Sequence, residues 1–262
     1  MENFRIRFIT TVVVIVCIAC FGEVMYAQDT INERLEYKMT YMGLAGAESV
    51  FILKKIKHDQ VSDTLCFIAN VKTRGVSDAI FRIRNHYESF IDIRNGLPCL
   101  FKKQIDQPNI QQELQIIYDH NNLTATSSFG TSWSIPPLCY NLFSMVNQLR
   151  NCDKNPGDTL QYNVDIESQI WSLKGIVSDL ENKKTRIGLY PVYEIDFNFY
   201  PIGSITPRSW KTDLLFNRIG KEGGRLLIWL SADHDQIPLK LRFGDGFASV
   251  EMNLIDRSTF AE

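Results

Sequence analysis

Along most of the chain, apolar and polar residues alternate with a period of two, the spacing of strands with one covered face. Leu35, Tyr37, Met39 and Tyr41 alternate with Arg34, Glu36, Lys38 and Thr40; Gly43 and Gly46 then turn the chain, and Glu48 to Leu53 returns antiparallel. After a polar loop, Leu65, Phe67, Ala69 and Val71 repeat the pattern, and a long strand follows in which Phe81, Ile83, Tyr87 and Ile91 oppose Arg82, Arg84, His86 and Glu88. Asn95-Gly96 supplies the positive-φ pair of a tight hairpin. Shorter strands are predicted over Leu100 to Ile105, Leu114 to Tyr118 and Leu123 to Ser127, separated by Pro108-Asn109 and Asn121-Asn122.

The period then changes once. Leu138, Leu142, Met145, Val146 and Leu149 recur at helical spacing, with Asn141, Ser144, Asn147, Gln148 and Arg150 on the other side and Pro136-Pro137 just ahead. This predicts one amphipathic helix packed across a sheet and stopped by Asn155-Pro156-Gly157-Asp158. Strands resume at Leu160 to Ile166 and Ile170 to Val177. In the next run Ile187, Leu189, Tyr193, Ile195, Phe197 and Phe199 fill one face, and Pro191 marks an edge or a bulge. Pro201 to Pro207 is a loop, and Leu214 to Ile219 and a Gly223-Gly224 turn lead into a closing meander.

That meander, Arg225 to Leu254, is the most legible stretch. Leu226, Ile228 and Leu230 point one way and Leu227 and Trp229 the other, so its first strand is apolar on both faces. Leu239, Leu241 and Phe243 then oppose Lys240 and Arg242; after a Gly244-Asp245-Gly246 turn, Ala248, Val250, Met252 and Leu254 oppose Ser249, Glu251 and Asn253. The predicted class is mainly β: antiparallel sheet curved into a half-barrel or barrel-like shape, with one amphipathic helix packed across it. Residues 28–262 are expected to form a single domain. A short echo between His86 to Ile105 and Leu226 to Phe243, each a strand, an acidic turn, a proline and a strand, suggests two similar halves meeting near 152–158.

The N-terminus changes the picture by giving an address. Arg5 and Arg7 precede an apolar run from Phe8 to Phe21 and a boundary near Tyr26-Ala27-Gln28, the order of parts of a secretory signal peptide spanning 1–27 and cleaved near Ala27. An uncleaved anchor helix is one alternative, and lipidation of Cys20 is another, although the leucine usual three residues before such a cysteine is missing. The expected location is therefore periplasmic or outer-membrane-associated. Such a compartment permits disulfides among Cys66, Cys99, Cys139 and Cys152, with buried free thiols as the alternative. The helix between Cys139 and Cys152 would hold those two roughly 20 Å apart, beyond bonding range.

Charge and motifs mainly exclude. A formal net charge of −2 with interspersed signs leaves no basic field for nucleic acid. His58, His86, His120 and His234 stand in no ligand spacing, so neither metal nor cofactor is predicted, and His234 between Asp233 and Asp235 reads as a solvated turn. No nucleophile elbow, phosphate loop or dinucleotide fingerprint is present. Asp92, Asp119, Asp196 and Asp233 read as turn residues and Cys139 as a packing cysteine, so no catalytic residue is predicted and the chain is not expected to be an enzyme.

What exceeds background is the aromatic content of the predicted β faces: Tyr37, Tyr41, Phe51, Phe81, Tyr87, and later Tyr193, Phe197, Phe199, Trp210 and Trp229. Such residues fill a core, or line a site for an acyl chain between sheet and helix. The candidate binding residues are Trp229, Tyr41, Leu142 and Met145, and the expected partner is a hydrophobic or lipid-like ligand. A scaffolding role with an envelope protein is the alternative, with peripheral membrane association as a further expectation.

Four segments, LEYKMTYMGLAGAES, KTRGVSDAIFRIRNHYESFID, YNLFSMVNQLR and IWLSADHDQIPLKLRF, resemble an exported bacterial family known as domain of unknown function 3108. The likeness spans most of residues 34–255 and rests on structural motifs such as W-L-S-x-D before a proline. It implies an envelope location and a β-rich fold, and no reaction. The meander also resembles, more weakly, the last strands of periplasmic lipoprotein carriers of the LolA and LolB type. Those are open half-barrels closed by several helices and bind acyl chains, whereas this sequence shows one clear helix.

Overall fold

The computed structural model describes residues 32–56, 64–204, 213–244 and 249–260. The expected signal peptide, its cleavage site at Ala27 and Cys20 lie outside the described residues, as do His58, Trp210 and Asp245-Gly246. The described residues form one compact unit.

Among the described residues one mainly antiparallel sheet of sixteen strands carries the fold. It starts in its own middle. From β1 (Asn32–Tyr41) the chain meanders outward through β2 (Leu44–Ile56), β3 (Thr64–Thr73), β4 (Arg84–Asp92) and β5 (Pro98–Gln107), and then through β6 (Ile110–Asp119), β7 (Thr124–Ser127) and β8 (Ser132–Ser134) to one edge. It then crosses to the opposite edge, β9 (Cys139–Asn141), and passes through a helix into β10 (Thr159–Ile166). β9 and β10 are parallel, as a strand-helix-strand crossover requires. The return runs through β11 (Gln169–Val177), β13 (Gly188–Pro201), β14 (Arg225–Ser231), β15 (Pro238–Phe243) and β16 (Val250–Phe260), which pairs antiparallel with β1. β12 (Glu181–Thr185) pairs with β13 off this path. Among the described residues the edges β8 and β9 are not joined, so the sheet is curved and unclosed, in agreement with the predicted half-barrel class.

The hairpins of the short sequence echo, β4–β5 and β14–β15, sit at different distances from β1 in the strand order, and the crossover between the outgoing and returning strands falls between Ser134 and Cys139.

Local structure departs from the alternation pattern in four places. The strand expected from Phe81 begins at Arg84, because a short helix, α1 (Gly75–Ile80), intervenes and leaves Phe81 half-exposed. Asp78 fixes this corner by accepting from Thr73 Oγ1 (2.6 Å) and from both terminal nitrogens of Arg84 (2.6 and 2.8 Å). The central helix, α2 (Leu142–Arg150), starts after Leu138, which adopts φ 52° and faces solvent. Asn141 sets the start with a capping box: its Oδ1 accepts from Phe143 N and Ser144 N, and Ser144 Oγ accepts from Asn141 N. This helix is buried nearly all round, Ser144 and Asn147 included, so it lies inside the curved sheet. Next, the run through Ile187 and Leu189 folds back as the β12–β13 hairpin; Leu189 is exposed and Val192 takes the inward place. Lastly, Leu214 to Ile219 is a helix, α3, capped by the Asp213 side chain on Leu215 N (2.9 Å).

The core is the inward face of the sheet with α2 pressed into it. Phe143 stands at the centre of an aromatic cluster, its ring centroid 5.3 Å from Phe67, 5.5 Å from Tyr87, 5.8 Å from Phe101 and 6.1 Å from Phe216. Such tilted and edge-on contacts add to the area these rings bury.

Candidate functional site

Between α2, α3 and the inward face of the sheet lies a cavity of about 60 Å³. Its helical walls are Leu142, Phe143 and Val146 from α2 and Leu215, Phe216 and Ile219 from α3. The sheet contributes Met39, Phe51, Val71 and Tyr87 from β1 to β4, and Leu241 and Met252 from β15 and β16. Among the described residues no lining residue is charged. Among the described lining residues Tyr87 carries the one hydroxyl. It donates to Asp213 Oδ2 and accepts from Asn85 Nδ2 at 2.7 Å. Burial, with the Asp213 carboxylate beside it, pushes the Tyr87 hydroxyl well above its ordinary range and so keeps it a donor. Asp213 Oδ1 accepts from Gln107 Nε2 (2.7 Å), and Gln107 Oε1 accepts from Leu214 N (3.1 Å), which ties the start of α3 to β4 and β5.

The predicted binding residues are spread over four environments. Leu142 lines the cavity. Met145 is fully buried in the core beside it, outside the lining. Tyr41 sits at the exposed end of β1, 40 % accessible. Trp229 is on the opposite face of the sheet, which corrects the expectation that it lines the interior. Leu226, Ile228 and Leu230 of the same strand take the inward positions, and alternation puts the indole outside. There its Nε1 donates to Glu194 Oε2 (2.6 Å), and the ammonium groups of Lys240 and Lys183 lie 4.9 and 5.3 Å from the ring centroid. The residues that dominate the cavity, Phe143 and Phe216, escaped sequence reasoning. The N-x-x-S capping signal at Asn141 and Ser144 would have moved the helix start and put Phe143 in play.

A second polar region lies where β5, β6 and β8 face the β10–β11 turn. The Lys103 ammonium pairs with Glu167, both groups being buried. Asp165 Oδ2 accepts from Tyr118 Oη and Trp133 Nε1, each at 3.2 Å. Burial raises the Asp165 carboxyl to about 7, and the neighbouring Glu167 pushes it the same way against the hydrogen bond from Tyr118. Glu167 and Ser168 hold φ of 56° and 61°, the left-handed pair of a two-residue hairpin, without a glycine. Cys139 lies close by; burial and the Asp165 charge push its thiol up, which opposes a reactive thiolate. Cys66, Cys99, Cys139 and Cys152 are all free thiols. Among the described residues no group of three or more His, Cys, Asp or Glu is placed to hold a metal, and no helix is long and apolar enough to cross a membrane.

An unclosed, strongly curved antiparallel sheet with helices on its inner face defines a β-barrel-like protein. The chain matches the family described as "Protein of unknown function (DUF3108)" over residues 36–255, and it belongs to that family, as the four segments in the sequence suggested. Its fold is similar to the crystal structure of a β-barrel-like protein of domain of unknown function DUF1849 from Brucella abortus. The TM-score is 0.58 at 9 % identity, over 88 % of this chain and 99 % of that one, a likeness of fold alone. No curated protein matches the chain.

Proposed function

We propose that this protein is an exported envelope protein that binds a hydrophobic or lipid-like ligand non-covalently in the cavity beneath α2 and α3. The observation that carries this reading is a cavity on the inner face of an open sheet whose described lining is aromatic and aliphatic and carries no charge. The signal-like N-terminus supports export. At about 60 Å³ the space suits a short length of alkyl chain, being well below the ~300–1,000 Å³ of sites that enclose whole drug-sized ligands. A longer chain would enter by shifting α3, which spans six residues and is held through Asp213, Phe216 and Ile219.

A direct test titrates delipidated protein with a fluorescent alkyl probe. The parent should bind the probe saturably. Val146→Phe, which places a ring in the cavity, should lose at least tenfold in affinity with an unchanged circular-dichroism spectrum, and Ala69→Leu, which fills it from the sheet side, should do the same. Undiminished binding in both folded variants would rule the cavity out.

A second reading, contact with an envelope protein or a membrane surface, is favoured by one feature. Leu44 beside the β1–β2 turn and Val76 and Ile80 of α1 are 75, 77 and 78 % exposed. α1 packs on β2 and Arg74 N donates to Gly46 O, so these apolar side chains are carried on adjoining segments.

A further inference from the structure

The geometry points to selection of an amphiphile with a neutral, hydrogen-bond-donating end, a hydroxyl- or amide-headed lipid, over the anion of a fatty acid. This inference rests on the binding role proposed for the cavity. Ser49 of β2, Val71 of β3 and Asn85 of β4 are direct partners across neighbouring strands, so their side chains form one row on the inward face. Val71, in the middle of that row, lines the cavity. Ser49 and Asn85 are 1 and 3 % exposed, and Ser49 Oγ and Asn85 Oδ1 have no hydrogen-bond partner among the described residues. Buried polar atoms are nearly always satisfied, and two orphans flanking a cavity-lining residue, though outside the lining themselves, mark the place of a water or of a ligand group that reaches past Val71.

The chemistry of the row follows from its neighbours. Tyr87 Oη donates its proton to Asp213, so towards Asn85 it can only accept, which makes the bonded atom of Asn85 the amide nitrogen and the orphan its carbonyl oxygen. The row thus offers an acceptor at Asn85 and a hydroxyl at Ser49 that donates or accepts. A ligand group satisfying both must bring an O–H or N–H. A carboxylate or phosphate brings acceptors alone, and it would approach the Asp213 carboxylate, which stands one hydrogen bond beyond Tyr87. Among the described residues no lining residue offers a compensating cation. Lys103, the register partner of Tyr87 on β5, is already engaged by Glu167.

Three probes with one acyl chain separate these features: 1-monooleoylglycerol, with two hydroxyls; oleate, an anion; and methyl oleate, which has acceptors and no donor. Delipidated full-length protein should bind the monoacylglycerol at least tenfold more tightly than either of the others, measured by displacement of the fluorescent alkyl probe. Ser49→Ala should bring the monoacylglycerol close to the methyl ester while leaving the ester within about twofold, and Asn85→Leu should repeat the effect if it folds. Equal affinity for monoacylglycerol and methyl ester would overturn the head-group inference and leave the apolar site standing. Tightest binding of oleate, or a monoacylglycerol affinity untouched in folded Ser49→Ala, would overturn it as well. Failure of all three probes to displace, or of the alkyl probe itself to bind, would remove both the inference and the function on which it rests.

Discussion

The inward face of the sheet solves two problems in opposite ways. Under α2 and α3 it is apolar and incompletely filled, leaving about 60 Å³ among rings and methyl groups. Where β5, β6 and β8 meet the β10–β11 turn it is polar: the Lys103–Glu167 pair and the Asp165 carboxyl tie outgoing strands to returning ones across a sheet whose edges do not join. Non-directional packing tolerates a gap or a guest. Buried ionic and hydrogen-bonded groups tolerate neither, because each partner removed leaves an uncompensated charge or donor. On the function proposed here, the first region binds and the second holds the open barrel in register.

Removing one member of the polar region should have the largest effect. Lys103→Met leaves Glu167 buried without its cation and is expected to cost about 3–5 kcal/mol in urea unfolding, with part recovered in the Lys103→Met/Glu167→Gln double variant. A loss under about 1 kcal/mol would mean that solvent reaches the pair and that it does not hold the sheet in register.

A smaller effect, with a sign set by protonation, belongs to Asp165. Folded, it keeps its proton up to about pH 7, whereas an unfolded aspartate releases it near ~3.9. Its contribution to stability is therefore complete below about pH 4, declines as pH rises through that window, and is lost above about 7. Tyr118, Trp133, Glu167, Cys139 and the Ser168 amide are the groups that face it. Asp165→Asn keeps an acceptor for Tyr118 and Trp133 and removes the titration. The variant should match the parent near pH 4 and exceed it by roughly 1–3 kcal/mol at pH 8, in thermal or urea melts. Parallel stability–pH curves for the two proteins would place the carboxyl in contact with water.

The strands were readable because nearly every one has a covered and an open face, so period-two alternation survives in the sequence; β1, β3, β4 and β15 show it most plainly. Trp229 was not placeable the same way. β14 is apolar on both faces, and only its pairing with β13, which sets Glu194 opposite the indole, decides which side faces out. The start of α2 was hidden because Leu138 continues the helical stripe by chance, while the Asn141 capping box sets the boundary. α3 was unreadable for a different reason. Six residues carry too little period to separate helix from strand, and its position depends on Asp213 meeting Tyr87 and Gln107, more than a hundred residues earlier in the chain. Of the cavity, Leu142 was legible from its stripe, and the aromatic centre built around Phe143 required the fold.

The central claim, that the apolar region receives a ligand and the polar region does not, is most directly tested by native mass spectrometry of the freshly purified full-length protein, followed by organic extraction. The account predicts a one-to-one adduct that extraction identifies as an acyl- or alkyl-bearing amphiphile and that Val146→Phe abolishes while the Asp165→Asn variant retains it. A bare mass in the parent that stays bare after incubation with monoacylglycerol, or an adduct that survives in folded Val146→Phe, would contradict it.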